Sequence, residues 1–182
     1  MVYKIQGIMD WFFVLCLYFQ AFPREERKPF RIIYKMWRMG KSDVWCIRDH
    51  GRFCGFANTL RHESLVLIDY LAVKKKYRRK GIGTKILKGM QTAYEGYGLF
   101  VEIESIFEDA PDLPARLQRR KFYKNCGFAP MGVLACVFGV PMELLGWNCR
   151  FDYARYETFY RYGYHAKAAE HLSPLEYPEE QK

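Results

Sequence analysis

Residues 64–84 read SLVLIDYLAVKKKYRRKGIGT, and no other stretch restricts the fold as much. The first ten are branched and almost continuously apolar, as in a central strand covered on both faces. From Gly81 the period changes. Ile82, Ile86, Leu87, Met90, Ala93 and Tyr94 recur at helical spacing, which predicts a helix to about Glu95. A buried strand feeding a helix through a tight basic turn places the chain among mixed α/β sheet domains.

The flanking segments agree. VYKIQGI (2–8) reads as a short strand and residues 11–21 as a helix, with Asp10 as its cap. A second helix is expected from Pro29 to Met39, ended by Gly40. DVWCIRD (43–49) and RFCGFANTL (52–60) flank His50-Gly51, a hairpin signal. LFVEIES (99–105) alternates: Leu99, Val101 and Ile103 face one way, Phe100, Glu102 and Glu104 the other. A helix from Leu113 to Cys126 follows, then two strands within 128–147 joined near Gly139-Val140. Residues 151–172 read as one tyrosine-rich helix, and SPLEYPEEQK as a loose polar tail.

WFFVLCLYFQAF (11–22) is very apolar but too short for a membrane span, which needs about 20 residues. A signal peptide would want a positive start and small residues at a cleavage point, for which Lys4 and Ala21 give weak support, and a buried first helix is the expectation. The six cysteines form no CxxC and sit among apolar neighbours. They read as small buried hydrophobes in a reducing compartment, which suits a cytoplasmic protein. The four histidines lack metal-site spacing, and no metal is expected.

The charge is uneven. The formal net charge is +9, and KKKYRRK concentrates much of it at the strand–helix turn. A helix N-terminus presents unpaired N–H groups and a favourable dipole to an anion. Gly81 and Gly83 permit close backbone approach, and successive amides from Arg79 to Thr84 can form a phosphate nest. The spacing fits neither a Walker loop nor a dinucleotide fingerprint. Spacing alone leaves two readings open: a phosphate cradle, or a solvated basic turn whose glycines start a helix.

VKKKYRRKGIGT (73–84) closely resembles motif A of the GNAT superfamily of N-acetyltransferases, [R/Q]-x-x-G-x-[G/A], with Arg78, Gly81 and Gly83 in the fixed positions. AFPREERKPF (21–30) resembles the segment between the first two helices of a bacterial subgroup. LFVEIE (99–104) resembles the fifth strand, RRKFYKNCGF (119–128) the helix that follows with its F-Y-x-x-x-G-F, and FGVPMELL (138–145) the last strand pair. The resemblance covers about residues 1–150 and leaves 151–182 as a helical extension and polar tail. It implies a mixed, mostly antiparallel central sheet flanked by helices, the GNAT-like acyl-CoA acyltransferase fold.

The resemblance also implies a chemistry. Acetyl-CoA is the acetyl donor, held where two central strands splay apart. Backbone groups of Leu71, Ala72 and Val73 would meet the pantetheine arm and the thioester carbonyl. Arg78, Arg79, Lys80, Gly81, Ile82, Gly83 and Thr84 would grip the pyrophosphate, and Asn125 would bond the cofactor arm. A neutral amine attacks the acetyl carbon directly, with no covalent enzyme intermediate. Glu104 and Glu102 are candidates for the base that takes the amine proton. Pairing with arginines, or attraction of a cationic substrate, is the plainer role for both. Tyr123 is the candidate acid for the departing thiolate. Asp69 either approaches the acceptor or pairs with a lysine.

The acceptor is a small-molecule or peptide amine. Trp11, Phe12, Phe22 and Phe30 either line its pocket or belong to the core. A homodimer is a further expectation. Two other functional classes stay in view. A nucleic-acid binder has the charge, but it is focused at one turn rather than spread among stacking residues. A catalytically silent acyl-CoA sensor would keep the loop and lack turnover.

Overall fold

The computed structural model describes residues 1–178. The fold is mixed α/β, with mostly antiparallel strands flanked by helices. The chain divides into two compact units, Met1–Arg61 with Ile68–Glu95, and His62–Leu67 with the chain from Gly96 onward.

In the first unit the strands run β1 (Val2–Lys4), β2 (Ser42–Asp49), β3 (Arg52–His62), β4 (Leu65–Val73) in that order across the sheet. The β2–β3 hairpin turns at His50 (φ +46°) and Gly51 (φ +74°), the two left-handed positions that such a turn demands. Helices α1 (Ile8–Ala21) and α2 (Phe30–Arg38) pack a core of Val14, Leu17, Tyr18, Ile33, Phe53, Phe56 and Tyr70. Trp11, Phe22 and Phe30 pack against this core, whereas Phe12 faces solvent.

Asp10 is not the cap of α1. The helix begins earlier, with Gly7 as an N-cap that offers no side chain. Asp10 lies in the first turn and is buried. It accepts hydrogen bonds from the Tyr3 hydroxyl (2.8 Å), the Gln6 amide (3.3 Å) and Arg48 Nη2 (3.0 Å). These donors outweigh the desolvation that would otherwise raise its pKa, and the carboxyl is held below its usual value.

Gly55 sets the spacing of β3 and β4. A Cβ there would sit 2.5 Å from the Ala72 carbonyl oxygen and 3.3 Å from the Val73 Cα. Both are backbone atoms and cannot rotate away. Gly55→Ala is expected to cost about 1–3 kcal/mol, the range of overpacked sites. A lowered urea midpoint with unchanged slope checks this; an unchanged midpoint shows that the strands separate without cost.

In the second unit the order is the start of β4, then β5 (Gly98–Glu104), β7 (Val140–Trp147), β6 (Ala129–Val137) and β8 (Leu172–Leu175). Leu65–Leu67 pair in parallel with Gly98–Phe100; the other pairs are antiparallel. Helix α4 (Leu113–Asn125) follows β5. Buried Phe100 meets Phe151, Tyr156 and Phe159 edge-on.

The C-terminal segment departs from expectation twice. Residues 151–172 are not one helix. They form α5 (Tyr153–Phe159), a π-helical turn (Tyr160–Tyr164) and the short α6 (Ala166–Ala169). The polar segment that follows is not loose at its start, because Leu172–Leu175 pair with Val137–Leu134 along the edge of β6. An open edge offers unpaired backbone groups, and proline is tolerated there, so Pro174 does not prevent the strand. The last four residues of the expected tail lie outside the described residues. All six cysteines are free.

Candidate active site

The basic turn is built at the end of β4. After Val73 the chain makes a 3₁₀ turn, Lys75–Tyr77, anchored by the Lys74 amide bonding to the Cys54 carbonyl (2.9 Å). Arg78 Nε donates to the Val73 carbonyl (3.0 Å) and closes the loop on itself. Arg79 (φ +60°) and Gly81 (φ +72°) are left-handed, and Gly81 is the N-cap of α3 (Ile82–Ala93). No side chain caps this helix. The Lys85 amide makes the first bond back to Gly81 (2.9 Å), so the Ile82 and Gly83 amides have no acceptor within the helix.

The side chains sort by role. Ile82 is buried and pins the helix start, while Arg78, Arg79 and Lys80 are exposed. A Cβ on Gly81 would meet nothing within 4 Å, so its requirement is conformational rather than spatial. The first turn of α3 carries no acidic residue to compete for its N–H groups. Of the β4 residues expected to meet the donor, Ala72 is buried and Leu71 and Val73 half-buried. Asp69 pairs with Lys28 Nζ at 2.7 Å and accepts from Asn58 at 3.4 Å, the lysine-paired alternative.

The second unit holds the acid–base candidates. Helix α4 carries Arg116, Arg119, Arg120 and Tyr123 at three- and four-residue spacing, which puts them on one face. Arg116 bonds the Ser105 carbonyl (3.0 Å), and Arg119 forms an ion pair with Glu104. Arg120 grips Glu143 of β7 through two nitrogens (2.7 and 3.0 Å), and Tyr177 adds a phenol bond to the same carboxylate (2.7 Å). One turn on, the Tyr123 ring lies against Phe122 and Phe128 and is only 6% exposed. Its hydroxyl makes no hydrogen bond among the described residues. Burial pushes its pKa up, with the Arg119 charge opposing, so the phenol keeps its proton. Asn125, at the exposed end of α4, stands two residues away.

Glu102 has partners that the sequence did not suggest. Tyr156 and Tyr160, both fully buried, donate to its Oε1 at 2.8 and 2.9 Å, and Tyr160 also reaches Oε2 at 3.0 Å. The tyrosine-rich C-terminal segment thus supplies the donors for a strand carboxylate. The signal for it was the spacing of Tyr153, Tyr156, Tyr160 and Tyr164, three or four residues apart as on one helical face. A cavity of about 760 Å³ beside β6, lined among others by Met131, Arg150, Tyr153 and Leu175, includes none of the expected site residues. Among the described residues no cluster of three or more His, Cys, Asp or Glu could hold a metal ion, and no helix is long and apolar enough to cross a membrane.

Solved structures share the fold. A protein from Bacteroides thetaiotaomicron assigned to the GNAT family superposes with a TM-score of 0.69 at 18% identity, over 90% of this chain and 98% of that one. An aminoglycoside 6'-N-acetyltransferase complexed with coenzyme A gives 0.66 at 12%, over 81% and 96%. The ribosomal-protein-S18-alanine N-acetyltransferase of Escherichia coli gives 0.59 at 15%, over 83% and 99%. A search of curated proteins returned no sequence match. The family model described as "Acetyltransferase (GNAT) domain" matches residues 40–130, half of the chain, from just before β2 to the start of β6. The chain belongs to the GNAT acetyltransferase family.

Proposed function

We propose that this protein transfers an acetyl group from acetyl-CoA to a primary amine by direct attack. The observation that carries this reading is the 78–84 loop. Two left-handed residues, an uncapped helix start and three exposed cations converge on one backbone turn. A pyrophosphate would meet the Ile82 and Gly83 amides and the α3 dipole, with Arg78, Arg79 and Lys80 neutralising its charge. Leu71, Ala72 and Val73 would hold the pantetheine arm through backbone groups, and one of their amides would polarise the thioester carbonyl. Asn125 would bond the same arm.

In the chemical step the amine nitrogen forms its bond to the acetyl carbon, and the carbon–sulfur bond then breaks. Tyr123 gives its phenol proton to the thiolate. Glu104 takes the amine proton, directly or through water, once Arg119 yields one of its oxygens. Glu102 is the less suited base, because two phenols already occupy its carboxylate. Residues 1–150 would form the transferase proper, with 151–182 as an extension to it.

A specific observation favours a second reading. Both β5 carboxylates are engaged, Glu104 by Arg119 and Glu102 by Tyr156 and Tyr160. A non-catalytic acyl-CoA-binding protein would look the same at these two residues. Turnover separates the two readings, and cofactor binding tests both.

Calorimetric titration of acetyl-CoA into the protein is expected to show saturable binding, with little response to a short DNA duplex. Gly81→Glu forces a side chain onto a left-handed backbone and sets a carboxylate beside the pyrophosphate. It is expected to weaken acetyl-CoA binding by at least about tenfold, since the carboxylate takes the anion's place at the helix start and repels the pyrophosphate, an effect of up to about 2 kcal/mol. Unchanged affinity in this variant sinks the loop assignment. Binding without acetylation across an amine library selects the sensor.

A further inference from the structure

Helix α1 is apolar on both its inner and its outer face, apart from buried Asp10 and from Gln20 near its end. Val14, Leu17 and Tyr18 face the core, yet Ile8 is 83% exposed, Phe12 57% and Phe19 52%. At about 100° per residue, Ile8, Phe12, half-buried Leu15 and Phe19 fall within roughly 60° of one another. They form a continuous stripe along the helix, with exposed Met9 beside it. A helix with no polar face is ordinarily covered by something. Fourteen residues rise about 21 Å, well short of the ~30 Å hydrocarbon core, so this helix can lie in a membrane interface but cannot cross it.

The neighbouring helix adds positive charge to this face. Trp11 of α1 packs against Phe30, Tyr34 and Trp37 of α2, with ring centroids 5.1–5.8 Å apart. The arc that α2 leaves exposed is Arg31, Tyr34, Lys35 and Arg38. The Arg27 guanidinium lies 4.9 Å from the centre of the Phe19 ring, at the end of the stripe. Neither helix offers an exposed acid: Asp10 is buried against Arg48, and α2 contains none. The connecting segment PREERK is itself net basic.

We infer that the α1–α2 face docks on the surface of an anionic phospholipid bilayer. The α1 stripe enters the acyl boundary, and the α2 cations meet the headgroup phosphates. Aromatic and basic residues at this border suit a surface that is apolar below and negative above. A second copy of the chain fits the face less well, because it would cover the stripe while offering the α2 cations no counter-charge from either helix.

The test is co-sedimentation of the intact chain with phosphatidylglycerol vesicles and with phosphatidylcholine vesicles. Binding to the anionic vesicles alone, weakening as salt is raised, is the expected result. Arg31→Gln/Lys35→Gln/Arg38→Gln is expected to lower the partition coefficient roughly a hundredfold, from three phosphate-facing cations. Ile8→Ser/Phe12→Ser/Phe19→Ser is expected to abolish binding. Melting curves and acetyl-CoA titration report whether each variant folds; should the apolar variant fail to fold, the charge variant decides, since it alters only exposed side chains. Absence of binding to the anionic vesicles overturns the inference, as does equal binding by the charge variant. Sedimentation equilibrium showing a dimer that the apolar variant dissociates would overturn it in favour of a second copy.

Discussion

Tyr123→Phe is expected to lower kcat about 10²–10⁴-fold while leaving acetyl-CoA affinity unchanged, the range for loss of a positioned general acid. The variant removes one oxygen and nothing else. The ring keeps its contacts with Phe122 and Phe128, and no hydrogen bond among the described residues is lost, so the melting temperature should hold. Burial raises the phenol pKa, so the acid form persists across the neutral and mildly alkaline range. The loss in kcat should therefore be uniform with pH below strongly alkaline conditions. Steady-state kinetics beside calorimetry separates the possibilities. An unchanged kcat removes Tyr123 from the chemistry, and a parallel fall in affinity makes it a binding residue.

What the sequence disclosed follows a physical division. The β4–turn–α3 segment was legible because everything it needs is local: a branched apolar run, a change of period, and glycine where the backbone turns left-handed at 81. The hairpin at His50-Gly51 and the strand pair around Gly139 were legible for the same reason. Partner choice was not. Glu102 meets Tyr156 and Tyr160, more than fifty residues along the chain, and alternation of β5 showed only that its carboxylates share a face. Arg119 reads from the sequence as part of a helix, but only the packing of that helix assigns it to Glu104. The β8 strand was missed because its sequence, LSPL, carries a proline and no alternation. The edge of β6 makes it a strand, not its own propensity.

The second large effect concerns a pair that the sequence also left hidden. Glu143 is fully buried on β7, where a carboxylate without a partner would not be tolerated. Arg120 answers it with two nitrogens at 2.7 and 3.0 Å, and Tyr177 brings a phenol from the C-terminal segment to Oε1. Desolvation and the bond to Glu143 push that phenol up to about 12, so it remains a donor throughout the physiological range. Arg120→Met is expected to cost about 3–5 kcal/mol, because it strands a buried charge. For a chain of this size that lowers Tm by about 6–20 °C. Tyr177→Phe, which removes one bond to a charged group, is expected to cost about 1.5–3 kcal/mol. The double variant Arg120→Met/Glu143→Leu tests the mechanism. If the cost of the single variant is desolvation, removing both charges recovers most of it, as apolar replacement of buried pairs does. If the double variant is no more stable than Arg120→Met, the stability came from the arginine stem packing on the sheet rather than from its charge.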